Sequence, residues 1–200
     1  MISSEAARLG KEAARRLART GRCQLEPGLT DTEFARIEQR YGFKFADDHR
    51  AFLAAGLPVS SPAKDGQTWT QPWPNWRNGD PDQLRDQLDW PIRGVLFDVR
   101  HGYWHGTWGP RPPLPGQALK TAEQQLARVP RMVPIYAHRC LPAGHGTYGH
   151  PVLSIYQTDI IYYGTDLPDY INREFGDPAT DRNSERRNPQ ATVPFWRDFL

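Results

Sequence analysis

The apolar and aromatic positions are densest between Met132 and Gly164, and the rest of the chain reads as cover for that stretch. Val133, Ile135 and Ala137 alternate with Pro134, Tyr136 and His138. Residues 152–156 and 160–163 are runs of β-branched and aromatic residues that suit a pleated, half-buried surface. Gln157, Thr158 and Asp159 are polar enough to turn the chain, so 151–164 is expected to be a β-hairpin that starts at Pro151 and closes at Gly164. A hairpin this apolar needs further strands or helices against one face.

The flanking pattern supplies both. Ser3 or Ser4 caps a helix to about Arg19, with Ile2, Ala6, Leu9, Ala13 and Leu17 as a narrow apolar stripe. Arg8, Lys11, Arg15, Arg16 and Arg19 fill its remaining surface, either as an arm for an acidic partner or as the solvated face of a docked helix. Thr30 and Glu33 have capping-box spacing, Phe34, Ile37 and Tyr41 form an apolar face, and Gly42 is placed to end that helix. Asp47 or Asp48 is expected to cap another helix, anchored by Phe52 and Leu53 and ended by Gly56 and Pro58. Asp80 and Pro81 start a short helix with Leu84 and Leu88 on one face, predicted to end before Pro91. Residues 95–99 and 103–108 read as a second hairpin, 110–116 as a rigid proline linker, and 118–129 as a helix. Thr165 or Asp166 caps a last helix bearing Leu167, Tyr170, Ile171 and Phe175. Residues 176–192 have little to bury and are expected to form a mobile linker, after which Val193, Phe195, Trp196 and Phe199 dock back on the domain.

A chain of 200 residues with 38% hydrophobic content is long enough for one domain with a core. The organisation expected is a basic helical extension over 1–24, an α+β domain over 25–175 with an antiparallel sheet flanked by helices, and a loop-rich tail over 176–200. A formal net charge of +2 is too small to suggest nucleic acid or an anionic membrane as partner. The first 22 residues lack an apolar signal core and no run is long enough to span a bilayer, which points to a soluble, cytoplasmic protein. Cys23 and Cys140 make no disulfide framework and are expected to be reduced thiols.

Candidate chemistry is sparse. Trp69, Trp73 and Trp76 lie together in a loop, either as an aromatic platform for a partner or as a lid over the core. Tyr103, Trp104 and Trp108 offer a second aromatic group. His138, Cys140, His145 and His150 are of the type that holds zinc, with His101 and His105 elsewhere, yet their spacing fits no zinc signature and no metal is expected. Cys140 lacks the setting that would lower a thiol pKa. Asp98 and Asp159 could pair as acid and base, although carboxylates at strand edges and turns more often bond the backbone. With no phosphate loop, nucleophile elbow or HExxH helix, neither an enzyme nor a cofactor is expected.

The order GLTDTEFARIEQRYGFKFADDHRAFLAAGLP, PNW, WPIRGVLFDV, WGPRP, VPRMVPIYAHR and GHPVLSIYQTDIIYYGTDLPDYI resembles a bacterial member of the SUKH superfamily, the group of the cell wall assembly regulators. The likeness covers residues 28–175, with VPFW at 193–196 as a further match. It implies an α+β domain, no catalysis, and a protein-binding role, in many bacterial members as an immunity protein that neutralises a polymorphic or contact-dependent toxin. An intracellular regulator or scaffold is the alternative it leaves open. Trp69, Trp73, Trp76, Tyr103, Trp104 and Trp108 are the candidate binding residues.

Overall fold

The computed structural model describes residues 2–61, 66, 71–177, 189 and 192–200. Over these residues the chain is α+β, with six α-helices and two antiparallel sheets. The larger sheet is a meander of β3 (Met132–Tyr136), β4 (Arg139–Pro142), β5 (Val152–Tyr156) and β6 (Asp159–Gly164), side by side in that order. Its register sets Val133 against Leu141, Cys140 against Leu153 and Ile155 against Ile160. Because side chains alternate across a strand, the sheet sorts its residues into two cores. Val133, Ile135, Leu141 and Val152 enter one, and Met132, Cys140, Leu153, Ile155 and Ile160 enter the other. The hairpin read at 151–164 is therefore one edge of the sheet, with β5 buried on both faces and β6 open to solvent at Ile161 and Tyr162.

The first core is closed by α1 (Ser4–Thr20), α2 (Asp31–Tyr41), α3 (Asp47–Ala55) and α6 (Leu167–Phe175). Helix α1 belongs to this body and is not an extension of it. Ala13, Ala14 and Leu17 lie in the core, and a Cβ at Gly10 would sit 2.3 Å from the Asp48 carbonyl oxygen, so α1 and α3 pack backbone to backbone. Its arginines form the solvated side: Arg8 pairs with Glu5, Arg15 with Glu12, and Arg16 reaches the Pro168 carbonyl of α6. The Thr30–Glu33 capping box starts α2 as expected, and Gly42 ends it. A small second sheet, β1 (Gln24–Glu26) paired with β2 (Leu57–Val59), was not legible from three-residue strands.

Three expectations are corrected. Helix α4 runs over Pro81–Arg100 without stopping at Pro91, and Val95–Val99 is helix, not strand. Its buried apolar positions are Leu84, Leu88, Pro91, Val95 and Val99, steps of four, three, four and four that keep one face inward. Leu84 and Leu88 serve the first core, Val95 and Val99 the second. Burying the two valines contributes about 1.5 kcal/mol or more each, which offsets the ~3 kcal/mol cost of a proline inside a helix. Second, with Val95–Val99 in a helix, Tyr103–Trp108 has no strand to pair with and holds only a 3-10 turn at Gly106–Trp108. Third, α3 has Ala46 at its N-cap with no side-chain bond. Asp47 and Asp48 instead accept the Gly146 and Gly149 amides at 3.0 and 2.9 Å, pinning the β4–β5 loop to the helix.

Beyond the sheet, α5 (Pro115–Leu126) begins inside the segment read as a linker, because Pro115 suits the first helical turn. Most of the linker expected at 176–192 lies outside the described residues. The end of the chain docks: Val193 and Trp196 are buried in the second core and the Trp196 indole donates to the Pro130 carbonyl at 2.8 Å. No helix among the described residues is long and apolar enough to cross a membrane.

Adjacent residues on α3 carry opposite proton linkages. Burial pushes the Asp48 carboxyl up to about 6, against the backbone amides of Gly149, His49 and Asp48 that hold it down. Burial pushes the His49 imidazole down to about 3; it packs edge-on to Phe45, and neither ring nitrogen has a partner among the described residues. The Asp48 contribution to stability is full below pH 4 and lost as pH rises through 6, whereas that of His49 is full above pH 6.5 and lost as pH falls. Between pH 6 and 4 the two oppose each other. Asp48→Asn is therefore expected to make stability fall more steeply with acid than in the parent, and His49→Phe less steeply, each by up to about 1.4 kcal/mol per pH unit. Denaturant melts at half-unit pH steps measure this, and parental slopes in both variants would contradict it.

Candidate functional site

With one stripe of α4 turned inward, a second meets the sheet at the β5–β6 turn. Trp90, Gly94 and Asp98 lie one helical turn apart, and each fixes a different point of that turn. The Trp90 indole donates to the Ile155 carbonyl at 3.2 Å. At Gly94 a Cβ would stand 2.9 Å from the Gln157 Cα, so the helix backbone rests directly on the turn. The Asp98 carboxylate accepts both the amide and the hydroxyl of Thr158, at 2.9 and 2.6 Å. Gln157 is held at φ 57°, a left-handed conformation uncommon for a residue with a side chain, and the three anchors over-determine it.

A third stripe, Arg93, Phe97 and Arg100, borders a groove of about 300 Å³ between α4 and this turn, with Tyr156 and Gln157 as its opposite wall. Phe97 and Tyr156 are 46% and 49% exposed, unusually open for large rings. Tyr156 lies 5.9 Å from Trp90 and 6.0 Å from His138 between ring centres, and His101 packs on Phe97 at 4.2 Å. Arg93 is paired with Asp86 at 2.6 Å, both exposed, an attachment that water and salt screen. Arg100 makes no ion pair with a described residue. Rings and guanidiniums on a fixed backbone can bind, and among the described residues the groove wall carries no carboxylate.

The aromatic residues singled out from sequence lie elsewhere. Trp73 is 4% exposed, stacked on Phe175 at 5.2 Å; Trp76 is 3% exposed among Tyr41, Phe43 and Phe45. Both lid the first core, and burial removes them from the reach of a partner. Trp108 is buried in the second core, parallel to Phe195. Tyr103 and Trp104 are half-buried beside it, and Trp69 lies outside the described residues.

The histidines and cysteine do not assemble either. Cys140 is buried in β4, where burial pushes its thiol up to about 12. His145 stands at the surface 3.3 Å from Asp47, while His138 and His150 are half-buried and held below the usual histidine range by burial. Among the described residues no three His, Cys, Asp or Glu side chains come together as a metal site. Asp98, considered as an acid or base, spends its carboxylate on Thr158.

The groove residues were missed because Val95–Val99 was read as strand; once α4 passes through Pro91, the 90/94/98 and 93/97/100 spacings are legible. In comparisons with known proteins, the chain matches no family model, no curated protein and no solved structure.

If the Asp98 carboxylate holds the turn, Asp98→Ala is expected to lower stability by roughly 1–3 kcal/mol through two lost charge-assisted bonds. It should also speed hydrogen exchange of the Thr158 amide relative to that of Leu153. Unchanged Thr158 protection would contradict the clamp.

Proposed function

We propose that the chain is a non-enzymatic protein-binding module of the SUKH type, acting as an immunity protein that neutralises a toxin by holding it, with the groove between α4 and the β5–β6 turn as its binding face. The observation that carries the reading is the pairing of Phe97 and Tyr156, each about half exposed, on backbone fixed at three points. Exposed aromatic side chains next to arginine are the composition of interface hot spots, and a rigid support reduces the entropy lost on docking. The order of sequence motifs that resembles the SUKH superfamily supports the same reading, as does the helix-flanked antiparallel sheet.

Binding by this face needs no reaction. A partner would place an apolar side chain between the two rings, and the arginines would fix its register. Co-expression with a toxin encoded beside the chain's own gene tests the proposal. The expected result is survival of the cells and a complex that co-purifies, both lost in Phe97→Asp/Tyr156→Ser with the thermal melt unchanged. Failure to protect and to co-purify would remove the immunity role, and recovery of an envelope or division protein instead would favour the regulator reading.

A further inference from the structure

The arginines of the groove are spaced to measure a ligand. Arg93 and Arg100 are seven residues apart on α4, which at 1.5 Å per residue separates their attachment points by about 10 Å along the helix axis. Phe97 stands between them and Tyr156 faces it across the groove, and no carboxylate lies in the groove wall among the described residues. Two anionic groups about 10 Å apart, with an apolar group between, are the complement of that wall.

An extended chain meets the requirement in one conformation better than in others. In a β-strand, residues three apart point to opposite sides, and residues two apart are separated by only about 7 Å. In a polyproline II helix, residues three apart share a side and are separated by about 9 Å. Grooves walled by aromatic rings are also where that conformation docks, because it arrives already ordered. Single-stranded nucleic acid fits less well. It carries a phosphate at every nucleotide and needs a continuous cationic track, whereas the cationic stripe is broken one turn before Arg93 by Asp89 and Asp86 on the same helix.

We infer that this groove binds an acidic segment of a partner protein in polyproline II conformation, carrying two carboxylates three residues apart on one edge and an apolar side chain on the adjacent edge, a third of a turn round. The inference rests on the protein-binding reading above and specifies the chemistry of its partner. Docking exchanges the exposed Arg93–Asp86 pair for a pair with the ligand and brings Arg100 its counter-ion. The affinity should therefore fall with salt.

Fluorescence anisotropy on the full chain tests it, with a labelled proline-rich peptide bearing two glutamates three residues apart around a leucine. Controls are the same peptide with lysines for glutamates, one with the glutamates two apart, and a labelled oligothymidylate. The expected result is binding of the first peptide at least about tenfold tighter than each control, a difference of about 1.4 kcal/mol. That preference should be lost in both Arg100→Glu and Phe97→Asp, each checked for an unchanged circular dichroism melt. Equal binding of the lysine peptide, tighter binding of the oligonucleotide, or no binding of the glutamate peptide would overturn the inference. Its failure is separable from that of the broader reading: a cellular complex abolished by Phe97→Asp but untouched by Arg93→Glu/Arg100→Glu would leave the module a protein binder and sink the acidic partner.

Discussion

Helix α4 must bury its apolar face in two cores at once, and most of the molecule's layout follows from that requirement. Leu84 and Leu88 anchor its first half beneath one side of the sheet, Val95 and Val99 its second half beneath the other. A helix interrupted at Pro91 would lose one set or the other. The cost of the proline is therefore carried by burial on both sides of it, and the helix is long enough for a second stripe to reach the β5–β6 turn.

That reach turns an element of the core into a support for a surface. Trp90, Gly94 and Asp98 are neither exposed nor apolar in the usual core sense. They hold a hairpin turn at a left-handed residue, and the exposed rings of Phe97 and Tyr156 keep a fixed separation as a result. A groove made this way arrives already ordered: the ordering entropy is met during folding, not on contact. The loop between β4 and β5 is held by the same device on the far side, where Asp47 and Asp48 take its backbone amides.

Much of the frame was legible in sequence because it rests on local signals. The β-branched and aromatic run Val152–Tyr156, the Thr30–Glu33 box and the Asp166 cap each report a short stretch without help from elsewhere. The errors share one origin. VLFDV has strand composition, and Pro91 is a strong stop, so local reading outvoted the four-residue spacing that spans 84–99. The same weight on local composition turned Asp47 and Asp48 into caps and Trp73 and Trp76 into a platform, when long-range partners set their roles. The groove stayed hidden because it belongs to two segments about 60 residues apart, joined only by α4 and the turn.

The central claim is that α4 is one helix through Pro91, clamped on the β5–β6 turn. Backbone NMR assignment of the full chain tests it most directly. Helical carbon shifts from Leu84 to Val99 with a nuclear Overhauser contact between Gly94 and Gln157 are expected. Strand-type shifts at Val95–Val99, or no such contact, would contradict the account.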